Sequence, residues 1–277
     1  VLQENPYRLA EDISGVGFRI ADEIASRIGI HTDSDYRIRS GMLYTLLQAS
    51  GEGHIYLPKE ELFSRASGLL GVDSSYMEKH LMDMVVDRKL ILKETEDGAV
   101  VYPTRYYYLE LNSARMLCEL NILCPEDEEM MEKRINRIEK ETGTRLDEMQ
   151  KQAVAAAASH GLFILTGGPG TGKTTTINAI IRYFEEEGAE LRLAAPTGRA
   201  AKRMTEATGY EAQTIPRLLE LNGMPEEEQE GRAVHFDRNS ENPLEADVII
   251  IDEMSMVDIA LIHSLLLAVT AGTRLIL

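Results

Sequence analysis

The chain has 277 residues, 44% of them hydrophobic, enough for two domains that each bury a core. No run approaches the ~20 apolar residues that span a bilayer and no basic-then-apolar leader opens the sequence, which excludes a membrane-spanning helix and points to a cytoplasmic address. A formal net charge of −17 excludes broad coating of a polyanion, so any nucleic-acid contact has to be local.

The two cysteines, Cys118 and Cys124, have neither the spacing of a CxxC redox pair nor that of half a zinc site, and read as reduced and structural. The sequence opens on Val1 and closes on Leu277 inside an expected strand, so it reads as a segment of something longer.

Residues 6–30 predict a helical hairpin: a helix, a tight turn at Ile13-Ser14-Gly15-Val16-Gly17, then a second helix with Ile20, Ile24 and Ile28 on one face. Amphipathic helices follow over 36–50 and 59–92, with Pro58 near the start of one and Leu62, Leu69 and Leu70 as core. The run LILKETEDGAVVYP has two apolar stretches around Asp97-Gly98 and predicts a β-hairpin. Helices followed by a small hairpin suggest a winged-helix-like module, and 106–142 reads as a helical connector. The expected domains are therefore a helical hairpin at 1–35, a winged-helix-like module at 36–110, a connector at 111–145 and an α/β domain at 146–277.

In that last part strands and helices alternate, which favours a parallel sheet covered on both faces. Expected strands are Leu162–Thr166, Leu191–Pro196, Asp247–Glu253 and a strand beginning at Arg274. Expected helices follow the glycine-rich loop as far as Gly188, and cover Gly198–Thr208, 214–222 and 257–269. The apolar run Ile249-Ile250-Ile251 suits burial on both faces. The stretch 222–246, with an acidic run and Arg232 to Arg238, reads as a surface loop, with a small hairpin as the alternative.

The run GGPGTGKTT, 167–175, fits the P-loop pattern, in which glycines let backbone N–H groups converge on phosphates at a helix N-terminus. Gly168, Pro169, Gly170, Thr171, Gly172, Lys173, Thr174 and Thr175 are the candidate nucleotide-binding residues. Lys173 would reach the β- and γ-phosphates, and the Thr174 hydroxyl would ligate Mg²⁺. In VIIIDE, 248–253, Asp252 is the second candidate metal ligand and Glu253 the candidate base for water. An adjacent Asp-Glu pair favours hydrolysis of ATP over transfer to an acceptor.

Taken together, LDEMQKQAV (146–154), GGPGTGKTT, APTGRAAKRM (195–204), AQTIPRLL (212–219) and IIIDEMSMVD (250–259) resemble the ordered motifs of superfamily 1 DNA helicases, specifically the RecD-like branch. ISGVGFRIADEIASRIGI with GEGHIYLPKEEL (51–62) resembles the long bacterial form, which carries a helix-hairpin-helix region and is often labelled exodeoxyribonuclease V alpha-like. The resemblance implies a RecA-like motor domain that ends before the later motifs, ATP hydrolysis with Mg²⁺ and 5′-to-3′ translocation on single-stranded DNA. It also implies work at single-strand/duplex junctions in repair or recombination, beside single-strand-binding or recombination proteins. Gln150 matches the family's adenine-reading glutamine. Thr197, Gly198 and Arg199 match one segment that grips the DNA backbone, and Thr214 and Arg217 another; there Pro216 stands where the family commonly has His. Gly15 and Gly17 carry two readings, a backbone contact to DNA phosphate or a packing turn, in a locally acidic stretch. A docking module with an ATP-sensing switch and a P-loop phosphotransferase are the rival functions.

Overall fold

The computed structural model describes residues 6–7, 9, 17–31, 34–168, 170–221 and 235–277. They form two compact units, one reaching Leu111 and the other starting at Asn112. Among the described residues no helix is long and apolar enough to cross a membrane.

In the first unit, helix α1 (Phe18–Arg27) buries Phe18, Ala21 and Ala25. Its isoleucine face is turned outward instead: Ile20 and Ile28 are each 49% exposed and Ile24 36%. The bulky Phe18 ring, stacked between Tyr7 and Tyr44, decides which face goes in. Helix α2 (Asp35–Gly51) starts where the Ser34 hydroxyl accepts from Arg37 N–H. Strand β1 (Leu57–Pro58) leads into α3 (Lys59–Leu70), and α4 (Met77–Val86) precedes the hairpin of β2 (Leu90–Thr95) and β3 (Gly98–Pro103). The helical stretch expected over 59–92 holds two helices, separated after Gly71 (φ 67°), and gives way to strand β2 at Leu90. The hairpin turn falls at Glu96-Asp97, one residue earlier than expected, with Thr95 paired to Gly98. The three strands are antiparallel in the order β1-β3-β2. Their inner face packs with Met42, Leu46, Leu62 and Leu81 in one core, which gives a helical, winged-helix-like build. Arg37 ties α2 to α1 by two hydrogen bonds to the Asp22 carboxylate, at 2.7 and 3.0 Å.

Helix α5 (Thr104–Leu120) leads into the second unit. The expected continuous connector is interrupted after Leu120: Leu123 pairs with His160 and Cys124 N–H donates to Ser159 O, so 121–127 runs extended beside α7. Helix α6 (Glu128–Thr142) begins at the Asp127 cap, and α7 (Glu148–Ser159) at a capping box between Asp147 and Gln150.

The remaining elements are β4 (Leu162–Phe163), α8 (Lys173–Glu186), β5 (Leu191–Ala195), α9 (Gly198–Thr208), β6 (Ala212–Thr214), α10 (Ile215–Leu218), β7 (Val248–Ile251), α11 (Ile259–Leu267) and β8 (Arg274–Ile276). Several are shorter than the sequence suggested, because ladder pairing stops where the chain turns into a site loop. The strands form a five-stranded parallel sheet in the order β4-β8-β7-β5-β6. Along β7, Val248 and Ile250 enter the core shared with Ile180, Ile181 and Phe184 of α8, while Ile249 and Ile251 enter the opposite core with Leu218 and Leu265. This alternation is what burial on both faces requires. Behind the site, Tyr183 of α8 donates to the Glu126 carboxylate and lies under the Arg134 guanidinium. Burial, then the Glu126 carboxylate, push its phenol pKa well above the usual value.

Of the 222–246 stretch, residues 222–234 lie outside the described residues. The part from 235 onward is fixed rather than a loose loop: Phe236 pairs with Leu221 and Arg238 bonds Glu220 at 2.8 Å.

Candidate phosphate-binding site at the strand ends

In a parallel sheet every strand delivers its carboxyl end to the same edge, and there the loops collect. Here that edge carries the P-loop after β4, Asp252 and Glu253 after β7, Thr197 after β5 and Thr214 ending β6.

Two P-loop glycines, Gly170 (φ 77°) and Gly172 (φ 80°), have a left-handed backbone. Gly172, the N-cap of α8, has φ 80°, a left-handed conformation that favours glycine, and a β-carbon there would stand 2.4 Å from Gln150 Nε2. A β-carbon on Gly167 would stand 2.6 Å from Thr171 Oγ1. No side chain caps α8, so its first backbone N–H groups remain available to an anion. Pro169 lies outside the described residues.

Lys173 and Thr174 line a cleft of about 710 Å³ together with Asp252 and Glu253. Asp252 is set by its N–H bond to Ala194 O on the neighbouring strand β5, and its carboxylate accepts Glu253 N–H at 2.8 Å. Glu253 itself has φ 58°, a strained backbone for a non-glycine residue. Threonine hydroxyl and carboxylate oxygens are the hard donors that suit Mg²⁺. Together with the glycine cradle, this donor set fits a metal-bound polyphosphate.

Gln150 sits on the other side of the P-loop. Its Oε1 accepts Asp147 N–H at 3.0 Å, and with Met149, Phe163, Ile164 and Thr171 it lines a second hollow of about 460 Å³. Met149 is 73% and Ile164 61% exposed, which leaves a flat apolar surface beside the loop. Thr175 is turned away: with Asn178, Arg182 and Tyr210 it borders a separate hollow of about 220 Å³.

The remaining candidates occupy two helix starts on adjacent strands, with Ala195 paired to Thr214. Thr197 Oγ1 accepts from Ala200 N–H at 3.2 Å, and Thr214 Oγ1 from Arg217 N–H at 3.4 Å, so both hydroxyls serve as N-caps. Pro216 occupies the first turn of α10, where a missing N–H is harmless. Arg199 and Arg217 are exposed, and neither makes an ion pair among the described residues. One cleft residue escaped the sequence reading: Arg203, one helical turn after Arg199, lines the same cleft as Lys173. The available signal was its position on the α9 face that also carries Ala200 and Met204. In the other unit, Gly17 has an ordinary φ of −76°, and a β-carbon there would touch nothing within 4 Å; Gly15 lies outside the described residues.

A P-loop between a parallel strand and its helix, faced by a carboxylate pair on a buried strand, defines a P-loop nucleotide-binding domain. Residues 150–277 match the family described as "AAA domain", and residues 1–56 match the "ATP-dependent RecD2 DNA helicase HHH domain". Over its whole length the chain is 32% identical to the ATP-dependent RecD2 DNA helicase of Deinococcus radiodurans, of which it covers 38%. It is 39% identical over 153 residues to the RecBCD enzyme subunit RecD of Mycolicibacterium smegmatis, covering 47% of this chain and 26% of that protein. The ATP-dependent DNA helicase dda of phage T4 is 38% identical over 104 residues, 37% of this chain and 23% of that protein. The chain belongs to the RecD-like helicase family, and it spans well under half the length of these relatives.

Proposed function

We propose that the chain supplies the helical N-terminal region and a RecA-like motor domain of an ATP-dependent DNA helicase that moves 5′ to 3′ on single-stranded DNA in repair or recombination. The observation that carries this reading is the joint lining of one cleft by Lys173, Thr174, Asp252 and Glu253. In it, Lys173 and the open α8 N-terminus hold the β- and γ-phosphates of ATP, and Thr174 and Asp252 hold Mg²⁺. Bound Mg²⁺ supplies charge neutralisation on the phosphates. Glu253 accepts the proton of the attacking water. Gln150, with its carbonyl engaged in the α7 cap, keeps Nε2 as a donor toward the adenine ring.

The two helix starts at Thr197-Gly198 and Thr214, with Arg199 and Arg217, hold the backbone of single-stranded DNA by N–H groups and charge, without reading bases. Gly17, the N-cap of α1, leaves open space where a β-carbon would stand, which suits close approach of a phosphate in the helical hairpin. The domain reading is a helix-hairpin-helix at 1–35, a winged-helix-like module at 36–110, a connector at 111–145 and the motor domain from 146. Partners are single-strand/duplex junctions and, by extension, single-strand-binding or recombination proteins; the address is cytoplasmic.

The deciding assay is ATP hydrolysis by a protein carrying this chain within its complete motor, with and without single-stranded DNA. DNA-stimulated turnover that Lys173→Ala abolishes is the expected result, and turnover indifferent to that substitution would overturn the reading. Residues 1–277 alone should bind nucleotide weakly and should not unwind duplex, since such sites draw charge from a second domain.

A further inference from the structure

The nucleotide reading leaves one cation in the cleft without a task. Arg203 projects from α9 into the space lined by Lys173, Asp252 and Glu253, and it makes no ion pair among the described residues. Its neighbour Lys202 faces elsewhere and lies 3.9 Å from Glu206. The other α9 residues lining the cleft include Ala200, Met204 and Ala207, so Arg203 is the charged group this helix contributes there. A guanidinium that lines the same cleft as two carboxylates and pairs with neither suits a ligand that brings more negative charge than they do.

Two hollows of different character flank the P-loop, and Gly167 and Lys173 line both. The Gln150 side carries the apolar side chains Met149, Phe163 and Ile164, which suit a purine ring, beside polar groups such as Gln150 and Thr171. The other side holds the carboxylates and Arg203. A nucleotide with its base in the first hollow sends its terminal phosphate into the second. On these grounds we infer that Arg203 binds the γ-phosphate oxygens of the nucleoside triphosphate, as a second cation supplied from the same domain as Lys173. An arginine suits that position because its planar fork donates two parallel hydrogen bonds to a phosphate, where a lysine offers a point charge. The inference rests on the nucleotide site proposed above, and it assigns Arg203 to discrimination of triphosphate from diphosphate.

The test is a fluorescence titration of a protein carrying this chain within its complete motor, with Mg²⁺ present, using N-methylanthraniloyl derivatives of ADP and of the non-hydrolysable β,γ-imido analogue of ATP. Arg203→Ala should weaken the triphosphate analogue by about tenfold, the worth of a charge-assisted hydrogen bond, and leave ADP within about twofold. Arg203→Lys should recover part of that loss, Lys202→Ala should change neither ligand, and Lys173→Ala should weaken both. Arg203 is exposed, so the variants should melt with the parent by circular dichroism. Equal weakening of both nucleotides by Arg203→Ala, no weakening of either, or the same loss in Lys202→Ala would overturn the assignment. Absence of saturable binding of both nucleotides to the unsubstituted complete motor would instead overturn the nucleotide site itself, and this inference with it.

Discussion

Gly172 and Gln150 are close neighbours: a β-carbon on the glycine would meet Gln150 Nε2 at 2.4 Å, while Gln150 Oε1 accepts Asp147 N–H at 3.0 Å. The P-loop and the start of α7 are therefore set against one another. Gly172→Ala must place alanine at φ 80°, which costs about 1–2 kcal/mol, and must move the amide end of Gln150 aside. Thermal melting should register that loss, and nucleotide titration should show at least about a tenfold weaker complex. A variant that melts and binds like the parent would mean the loop relaxes freely.

At Glu253 the backbone strain and the chemistry coincide. The residue sits at φ 58° and ψ 40°, a conformation glycine adopts without penalty. Glu253→Gly should leave stability unchanged or raise it by up to about 1 kcal/mol, strain relief being partly offset by unfolded-chain entropy. Glu253→Val should lower it by about 1–2 kcal/mol, since a β-branched residue is least suited to that region. Both should lose ATP hydrolysis in the complete motor. Urea melts paired with turnover assays would separate the two effects.

Acid should act on the first unit through Asp22. Burial alone would raise its pKa, but the hydrogen bonds from Arg37 and Tyr7, with the Arg37 charge, hold the carboxyl below the ordinary value. A depressed carboxylate contributes stability that is complete above its unfolded pKa of about 3.9 and is lost as pH falls through the lower folded value. Asp22→Asn should cost about 2 kcal/mol at neutral pH, and the gap from the parent should close as the pH drops below about 4. Chemical denaturation across that range measures it, and a gap independent of pH would contradict the assignment.

Arg199 and Arg217, exposed at two neighbouring helix starts, should each contribute one phosphate contact. Replacing either with Ala should weaken binding of oligothymidylate and reduce the slope of log affinity against log salt by about 0.7. Fluorescence anisotropy at several salt concentrations reads this directly. An unchanged slope would remove that arginine from the DNA path.

The cleft that Lys173, Thr174, Asp252 and Glu253 share was legible in the sequence because its residues come in contiguous runs whose backbone geometry is local: the glycines, the Lys-Thr pair and the carboxylates after an apolar strand. What escaped was set by packing over longer range. The isoleucine stripe of α1 has helical spacing, yet Phe18 and two alanines win the core, because one large ring between Tyr7 and Tyr44 fixes the face. Arg203 escaped because nothing in its own helix says what stands across the cleft. The break at 121–127 was masked by helical residues on both sides, and it arises from pairing with a strand-like stretch at His160. Gln150 stood out as a family match, but its service as a helix cap belongs to the Asp147 spacing.

The strand order also dictates when the site can exist. β4, which presents the P-loop, pairs with β8 alone among the described strands, through Leu162 with Leu275 and Phe163 with Ile276. A strand that leaves the ribosome about a hundred residues before its partner must wait unpaired, and such distant closures are the slow ones. During synthesis the phosphate cradle therefore remains unassembled until nearly the whole second unit has emerged. A nascent chain should therefore bind nucleotide only once β8 has paired with β4, with ATP a ligand of that pairing rather than a template for it.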